Sequence, residues 1–296
     1  MTINPILTII IYSWINRQGT EEWRCRAVLV ATAERDKRME YLSQIFNLKG
    51  KVAALTGAGG LLVGEMSRGL ARAGVKIALL DNNLETIGCL REEIVQNGGE
   101  ALALKVDVTQ KTDFTTALHA ILTAYGDVDI LINGAGANAP TPFFDIPVEE
   151  WNAILAVQLT GTMLGCQVFG EYMVAKNKGS IINISSASAG PPLSKAFTYS
   201  VAKAGVKNLS QNLAREWATQ GVRVNTIRPG FFPSEFMKKK FLTTERINAI
   251  LTHTPMKRFG EASELAGAVL WLSSDAASFV TGAEITVDGG FTAMTI

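Results

Sequence analysis

The sequence predicts an α/β fold, a single Rossmann-type doubly wound parallel sheet of about seven strands with helices on both faces. Two observations carry this prediction. Short apolar runs occur without alternating polar residues, a pattern typical of parallel strands that are buried on both faces. A longer stretch with helical periodicity follows each run, and this alternation indicates strands joined by crossover helices. With 296 residues, 47% of them hydrophobic, the chain is long enough to bury one large core.

The predicted elements follow one another in a regular order along the chain. The strands are predicted at residues 52–56, 75–80, 101–106, 130–132, 180–184, 222–227 and 283–287. The helices are predicted at residues 61–73, 84–96, 112–125, 148–176, 198–220 and 261–273. Gly74 ends the first helix and Asn97-Gly98-Gly99 ends the second, because glycine and asparagine favour the backbone conformation found just after a helix.

The bulk composition argues against several classes of function. A formal charge of +1 gives no basic footprint, so no nucleic-acid partner is expected. The three cysteines, Cys25, Cys89 and Cys166, and the two histidines, His119 and His253, are scattered, so we expect no metal site. Free thiols fit a reducing compartment, and we expect a cytoplasmic protein.

The first 46 residues differ from the rest, and we interpret them as an N-terminal extension of one domain at residues 47–296. The apolar run at residues 5–15 is shorter than the roughly 20 residues that span a bilayer, so no membrane association is expected. A secretory signal would need positive charge ahead of this run, and residues 2–4 carry none. We hypothesise that residues 1–38 are inessential to function. The alternative is an extra helix that packs on a neighbouring subunit.

A glycine-rich turn lies between the first strand and the first helix and contains Gly57, Gly59, Gly60 and Leu61. Glycines let the backbone approach a pyrophosphate, and a helix N-terminus supplies free N–H groups and a positive dipole. The turn therefore predicts a dinucleotide site, with a plain tight turn as the alternative.

Asp81 ends the second strand, where a carboxylate accepts hydrogen bonds from a ribose diol and repels a 2′-phosphate. No arginine or lysine occurs between Gly57 and Gly64, or beside Asp81, to bind such a phosphate. The sequence therefore predicts NAD(H) rather than NADP(H) as the cofactor. A helix cap is the alternative interpretation of Asp81.

Tyr199 and Lys203 are four residues apart in a predicted helix, so their side chains share one helix face. A nearby cation favours the phenolate, and we expect Lys203 to lower the pKa of Tyr199 from its ordinary value of about 10. Such a pair forms a proton donor or acceptor that is usable near neutral pH. Ser186, after the fifth strand, supplies a hydroxyl that can hold the oxygen whose proton is exchanged. A core tyrosine beside a solvated lysine is the alternative.

The order of these parts over residues 48–290 resembles the short-chain dehydrogenase/reductase family. The resemblance implies that Tyr199 is the general acid/base and that Lys203 tunes the phenol and holds the nicotinamide ribose. It also implies that Ser186 anchors the substrate oxygen. Ser185 is the competing serine, since strand alternation leaves the choice open and only the family match favours Ser186.

Four positions depart from the family pattern. Leu61 and Val63 stand where the family has the second and third glycines of the turn, which leaves the path of the loop open. Gly134 replaces the second asparagine of the usual Asn-Asn-Ala-Gly segment. Gln158 stands at a catalytic asparagine, and its amide is one methylene longer. Gln158 either holds a water in a proton path to Lys203 or points elsewhere.

The resemblance implies further cofactor contacts after the third, fourth and sixth strands. These residues are Asp107 and Val108 for the adenine, Asn133, Gly134 and Ala135 for the adenine ribose, and Pro229, Gly230, Phe232 and Ser234 for the nicotinamide carboxamide.

The segments at residues 133–138, 229–232 and 254–256 resemble the branch of the family with D-mannonate oxidoreductase (fructuronate reductase), and gluconate 5-dehydrogenases are the next most similar. This likeness implies a small-molecule substrate, a sugar acid or polyol, with Asn138 as a hydrogen-bond partner. Residues 231–256 are interpreted as a lid. The candidate cations for a substrate carboxylate are Lys195, Lys238, Lys239, Lys240 and Arg258.

The leading interpretation is an NAD(H)-dependent oxidoreductase that interconverts a ketone and a secondary alcohol. The alternative is a catalytically weak, dinucleotide-sensing binding protein on the same fold. The family resemblance also implies a homo-oligomer, a tetramer or a dimer.

Overall fold

The computed structural model of the chain describes residues 40–191, 193, 196–234 and 243–294. The chain divides into two units, Met1–Asn47 and Leu48–Ile296. In the first unit, residues 40–45 form a short helix, and the Phe46 N–H donates to the Leu42 carbonyl at 3.1 Å. Most of the interpreted N-terminal extension lies outside the described residues, so its role stays a prediction.

Within the described residues, seven strands form one sheet in which every neighbouring pair is parallel. In chain order they are β1 (Val52–Thr56), β2 (Lys76–Asp81), β3 (Ala101–Lys105), β4 (Ile130–Asn133), β5 (Gly179–Ile184), β6 (Val222–Pro229) and β7 (Glu284–Val287). Their order across the sheet is β3-β2-β1-β4-β5-β6-β7. The predicted doubly wound parallel sheet is confirmed.

Helices join the strands and cover both faces of the sheet. They are α1 (Leu61–Arg72), α2 (Leu84–Gln96), α3 (Lys111–Tyr125), α4 (Val148–Leu155), α5 (Gly161–Ala175), α6 (Phe197–Trp217), α7 (Thr244–His253) and α8 (Ala266–Ser273). Two features differ from expectation. The predicted helix at 148–176 contains a π-helical segment, Ala156–Thr160, between α4 and α5. Helix α7 lies inside the segment interpreted as a lid and was not predicted as a helix.

Two apolar clusters hold the helices against the two faces of the sheet. On one face, α1 and α8 contribute Met66, Leu70 and Leu272, none of which is exposed. On the other face, α3 and α5 contribute Phe114 and Phe169, whose rings meet edge to face with centroids 6.4 Å apart. Because burying one such side chain stabilises the fold by about 1.5–3 kcal/mol, these clusters fix the strand ends that carry the site.

The helical stretch Val148–Ala175 is, among the described residues, the one that is long and apolar enough to cross a membrane. Half of its most apolar window is buried inside the protein. The core helix of a soluble protein has the same length and composition, so this feature is weak evidence for a membrane span.

The strand order reverses between β1 and β4, because the chain runs outward from β1 to β3 and then returns to the other side of β1. The connections after β1 and β4 therefore leave in opposite directions and open a crevice at the carboxyl edge of the sheet. This crevice is where ligands bind in open α/β sheets.

Candidate active site

A cavity of 440 Å³ lies at this reversal point, at the carboxyl edge of the strands. We call it the Tyr199 cavity. The predicted site residues that line it are Gly57, Gly60, Asp81, Asp107, Val108, Gly134, Ala135, Asn138, Gln158, Tyr199 and Lys203. A larger cavity of 560 Å³ lies at the opposite edge, beside the first residues of β5 and β6. Because parallel α/β sheets bind ligands at the carboxyl edge, the Tyr199 cavity is the candidate active site.

The glycine turn is shaped for close approach of another molecule. Gly57 has φ +71°, and a Cβ there would lie 2.6 Å from the Ala135 Cα, so only glycine fits. Gly60 precedes α1 as its N-cap and provides no side-chain cap, so the first N–H groups of this helix face the turn uncapped. A bare backbone loop leading into an uncapped helix N-terminus fits the pyrophosphate of a dinucleotide.

The two departures in the turn have a structural counterpart in the loop after β4. Val63 is 3% exposed, and its Cγ2 fills the space beside Gly134. A Cβ at Gly134 would lie 2.4 Å from that methyl group. Valine at 63 and glycine at 134 therefore compensate each other. Leu61 is the first residue of α1, is 44% exposed and is not among the residues that line the Tyr199 cavity.

Asp81 lines the cavity and also braces the glycine turn. Its Oδ2 accepts the Gly59 N–H at 3.0 Å, and its Oδ1 accepts the Asn83 N–H at 2.9 Å. The N-cap of α2 is Asn83, whose side chain accepts the Thr86 N–H at 3.1 Å. The helix-cap interpretation of Asp81 is therefore wrong. The carboxylate oxygens retain lone pairs that can accept hydrogen bonds from a ribose diol.

Lys203 is 4% exposed, and its Nζ donates to the Ile184 carbonyl at 2.7 Å. The same nitrogen lies 5.6 Å from the centre of the Tyr199 ring, as expected for residues one helical turn apart. Burial disfavours the charged amine and lowers the pKa of Lys203 to about 7.

Burial raises the pKa of Tyr199, and a hydrogen bond with Ser186 opposes this rise. The expectation that the pKa of Tyr199 is lowered is therefore wrong for the protein without a bound cofactor. Burial penalises the phenolate and the ammonium alike, and it is the largest cause of the pKa change at both residues. The phenol is protonated at neutral pH and is a proton donor.

The two candidate serines point to different places. Ser186 begins a 3₁₀ turn over Ala187–Ala189, its Oγ accepts the Ser188 N–H at 3.2 Å, and its side chain opposes the rise in the pKa of Tyr199. Ser185 is buried, and its Oγ lies 3.4 Å from both the Lys203 carbonyl and a carboxylate oxygen of Glu284. The fold thus brings Ser186, and not Ser185, to the phenol.

Gln158 lies in the π-helical segment and is 1% exposed. Its Nε2 donates to the Ala137 carbonyl at 2.7 Å. No described residue hydrogen-bonds its Oε1. Gln158 and Lys203 line the same cavity, and the amide oxygen of Gln158 is buried there without a described hydrogen-bond partner.

Asp107 and Val108 both line the cavity at the end of β3. The Asp107 carboxylate accepts the Thr109 N–H at 2.9 Å and the Thr109 hydroxyl at 2.7 Å, which fixes the turn. Asp107 is exposed, whereas Val108 is 8% exposed and packs under Gly161.

Asn133 does not present its side chain to the cavity. Its Nδ2 donates to the Asn183 Oδ1 at 2.8 Å, inside a buried polar cluster that also contains Cys166 and Ser210. The Asn183 amide in turn donates to the Ser210 hydroxyl, which lies on α6. The side chain of Asn133 therefore ties β4 to β5 and the tyrosine helix.

The residues after β6 do not line the Tyr199 cavity either. Phe232 lines a separate cavity of 500 Å³, and a Cβ at Gly230 would lie 2.7 Å from Asp288, so this glycine is needed where β6 passes β7. Pro229 ends β6, and Ser234 is half-buried.

Of the candidate substrate cations, Lys195 and the three lysines at 238–240 lie outside the described residues. Residues 235–242 of the interpreted lid lie outside them as well. Arg258 is described and is held by two hydrogen bonds of 2.7 Å to the Glu264 carboxylate. It lines the 500 Å³ cavity rather than the Tyr199 cavity.

Sequence reasoning missed Thr56, the last residue of β1. Its Oγ1 accepts the N–H groups of Gly134 and Ala135 at 3.1 and 3.3 Å and so joins the two loops that bound the crevice. A hydroxyl residue that ends an apolar strand just before Gly57 was the available signal.

Comparison with known proteins finds reductases, oxidoreductases and dehydrogenases as relatives of this chain. The family model described as enoyl-(acyl carrier protein) reductase matches residues 64–292. The protein named "Uncharacterized oxidoreductase UxuB" of Bacillus subtilis is 38% identical over 268 residues, which cover 83% of this chain and 96% of the relative. The galactitol 2-dehydrogenase (L-tagatose-forming) of Cereibacter sphaeroides is 37% identical over 259 residues, which cover 86% of this chain and 99% of the relative.

Two solved structures are similar along most of their length. A proposed D-mannonate oxidoreductase from Haemophilus influenzae, with bound NAD, is 39% identical with a TM-score of 0.80, and the match covers 84% of this chain and 97% of that chain. A gluconate 5-dehydrogenase from Burkholderia cenocepacia, in complex with NADP and tartrate, is 30% identical with a TM-score of 0.81. That match covers 85% of this chain and 99% of the solved chain. The neighbours thus include one with NAD and one with NADP.

Proposed function

Because the chain belongs to the short-chain dehydrogenase/reductase family, we propose that it is an NAD(H)-dependent oxidoreductase that interconverts a ketone and a secondary alcohol. We propose a sugar acid or polyol as the substrate, in line with the names of its relatives. One observation carries the proposal. A single cavity joins Asp81, at the end of β2, to Tyr199 and Lys203, on α6.

The choice of NAD(H) rests on Asp81. Its carboxylate lies at the nucleotide end of the cavity and would repel a 2′-phosphate. The next residues, Asn82 and Asn83, are neutral and offer no cation to bind that phosphate. When bound, the nicotinamide supplies hydride-transfer chemistry. The uncapped N-terminus of α1 and the bare Gly57 turn would hold its pyrophosphate.

Tyr199 handles the proton in the proposed reaction. Since burial raises the pKa of this phenol, Tyr199 is protonated at neutral pH and donates to a carbonyl oxygen during reduction. In the reverse direction, the phenolate accepts the hydroxyl proton of the alcohol. Ser186, whose side chain opposes the rise in the pKa of the phenol, is the residue that we propose holds the same substrate oxygen.

Gln158 and Lys203 complete the proposed proton path. The amide oxygen of Gln158 is buried without a described hydrogen-bond partner, so a water held there would remove its desolvation penalty. Lys203 lines the same cavity, and we propose that the proton path leads from the phenol through Lys203 to this water. The longer amide of Gln158 therefore suits the role of an asparagine, supported by the local π-helical turn.

The test is a panel of aldonic acids, keto-acids and alditols offered with NAD⁺, NADP⁺ and their reduced forms, with NAD(P)H absorbance as the readout. We expect turnover of at least one sugar acid or alditol, with kcat/KM for NAD⁺ at least about tenfold above that for NADP⁺. No turnover of any member would contradict the proposed activity, and an NADP⁺ preference would contradict the cofactor assignment.

Tyr199→Phe separates an enzyme from the dinucleotide-sensing alternative. In an enzyme, loss of the phenol hydroxyl lowers kcat by about 100-fold or more while NADH affinity stays within about twofold. A sensor would lose neither binding nor its response, because the hydroxyl does no chemistry there. Ser185→Ala is the matched control, because its hydroxyl points away from the phenol.

A further inference from the structure

The cavity of 560 Å³ at the amino edge of the sheet has no part in the proposed reaction, although its volume suits a small-molecule ligand. We call it the Arg223 cavity. Strand β6 begins at this edge and crosses the sheet in 8 residues, so at about 3.3 Å per residue the two edges lie roughly 23 Å apart. A ligand held here would not reach the Tyr199 cavity. The charged and aromatic residues that line the Arg223 cavity are Lys51, Asp129, Lys178, Arg223, Asp275 and Phe279.

Arg223 is a half-buried cation in the wall of this cavity. Its Nη2 donates to the Leu272 carbonyl at 2.6 Å and to the Ser274 carbonyl at 3.3 Å, and its Nη1 donates to the Val280 carbonyl at 3.4 Å. A guanidinium carries five N–H donors, so these three bonds leave two donors for a ligand. Among the described residues, no carboxylate forms an ion pair with Arg223.

The surroundings of Arg223 do not balance its charge. Burial lowers the pKa of Arg223, and the negative charge of Asp275 opposes that shift only in part. The guanidinium still stays protonated at neutral pH, because arginine does not lose its proton in proteins. A negative charge beside the guanidinium would therefore offset the cost of burying it.

The other charged residues among the described lining residues form pairs. The Lys51 Nζ lies 3.3 Å from the Asp275 carboxylate, and the Lys178 Nζ lies 3.5 Å from the Asp129 carboxylate. The described lining thus has three basic and two acidic residues, and Arg223 is the basic residue left over. One unbalanced positive charge favours a monoanion over a dianion or a neutral ligand.

Two further residues of the wall suit a ligand that has both an oxygen and an apolar body. Ser273 lines the cavity and is 2% exposed, and no described residue hydrogen-bonds its hydroxyl. A ligand oxygen would remove the desolvation penalty of that hydroxyl. Phe279 also lines the cavity and is fully exposed, so both faces of its ring are available for a flat apolar group.

We propose that the Arg223 cavity binds a small monocarboxylate with a flat apolar body. Arg223 is the carboxylate-binding residue, and Phe279 contacts the apolar body. Because the cavity lies at the opposite edge of the sheet from Tyr199, it is a second ligand site and not a part of the first. The inference does not depend on the proposed oxidoreductase activity, and its test needs no turnover.

The test is isothermal titration calorimetry of the full chain with benzoate and with benzamide, its neutral counterpart of the same shape. Benzoate should bind at least about tenfold more tightly, because its hydrogen bonds to the guanidinium are charge-assisted. Arg223→Gln should abolish this preference and weaken benzoate binding by at least about tenfold. Arg215→Gln removes an exposed arginine on α6 and is the control for charge alone, with an affinity within about twofold of the parent. Tighter binding of phenyl phosphate than of benzoate would contradict the preference for a monoanion.

Arg223 also holds three carbonyls, so a second variant is placed at the fully exposed Phe279, where a substitution leaves the fold intact. Phe279→Ala should weaken benzoate binding by about three- to tenfold. Tyr199→Phe should leave benzoate affinity within about twofold, and a larger loss would place the ligand in the Tyr199 cavity and overturn the inference. No benzoate binding at about 10 mM, equal affinity for benzoate and benzamide, or an unchanged benzoate affinity in Arg223→Gln or Phe279→Ala would also overturn it.

Discussion

At the scale of single residues, the two departures from the family pattern at Val63 and Gly134 explain each other. The family has an asparagine at position 134, and the Val63 Cγ2 fills the space that its side chain would need. Sequence reasoning treats each position as a separate anomaly, because nothing in a linear chain shows that they touch. The contact fills the space between helix α1 and the loop after β4.

This contact predicts strong coupling between the two positions. Gly134→Ala should destabilise the protein by about 1–3 kcal/mol, since its Cβ would lie 2.4 Å from the valine methyl group. In a Val63→Ala background that methyl group is absent, and the same change should be at least about 0.5 kcal/mol less destabilising. Denaturant unfolding of the four proteins measures the coupling. Additive effects of the two substitutions would show that the contact is not limiting.

Lys203 predicts how stability depends on pH. Its pKa is lowered from 10.5 to about 7 in the folded protein, so between these values the unfolded chain binds the extra proton. Stability therefore rises with pH across that window and is flat below it with respect to this group. Each pH unit contributes about 1.4 kcal/mol, so the total is at most about 5 kcal/mol.

The measurement is the free energy of unfolding of the parent and of Lys203→Met from pH 7 to pH 10. The parent should gain stability relative to the variant as the pH rises, because methionine carries no proton to lose. Lys105→Met, at the exposed end of β3, is the matched control and should follow the parent. Parallel curves for the parent and Lys203→Met would contradict the assignment of a destabilised ammonium.

At the scale of elements, the π-helical segment and α7 show where sequence patterns stop being informative. The apolar pattern over 148–176 predicts one uninterrupted helix, because a π turn uses the same residue types as an α turn. Gln158 lies in this segment and lines the Tyr199 cavity. The start of helix α7 could have been predicted from Thr243, whose side chain accepts the Arg246 N–H as an N-cap. The helix was missed because it is short and lies in the segment interpreted as a lid.

A charged cluster joins β6 and β7 to the loop that carries Ser186. The Arg228 guanidinium lies 3.2 Å from the Glu284 carboxylate and also donates to the Ala187 carbonyl at 3.3 Å. Lys207 of α6 lies 3.0 Å from the same carboxylate. The Arg228 and Glu284 side chains are 11% and 12% exposed, so the pair is largely removed from water.

Glu284→Gln should destabilise the protein by about 3 kcal/mol, because it leaves two cations near a buried site without their counter-charge. It should also lower kcat, since Arg228 helps to position the Ser186 loop. Combined with Arg228→Met, the loss of stability should be smaller than the sum of the two single effects, as no lone buried charge remains. Chemical unfolding and steady-state kinetics of the three variants test this prediction. If the two single changes in unfolding free energy add up to that of the double variant, Arg228 and Glu284 do not stabilise the protein as a pair.

At the scale of the whole molecule, the sheet and most helix bounds could be predicted because they follow from unbroken apolar runs. The meeting of Asp81, Tyr199 and Lys203 in one cavity could be expected from the order of motifs. The interior role of the Asn133 side chain could not, since its partner Asn183 is contributed by another strand. Nor could the raised pKa of Tyr199, because the degree of burial at a crevice depends on how all its walls close together.

Because the strand order reverses between β1 and β4, the two sides of the crevice are formed by different halves of the chain. One half carries Asp81, the residue that we propose selects the nucleotide, and the other carries Tyr199 and Lys203, the residues of the proposed chemistry. Since these residues come from separate stretches of the chain, we expect substitutions that change nucleotide preference to leave substrate preference unchanged. Residues on one side of the crevice can then be substituted, in evolution or by design, while the other side is kept.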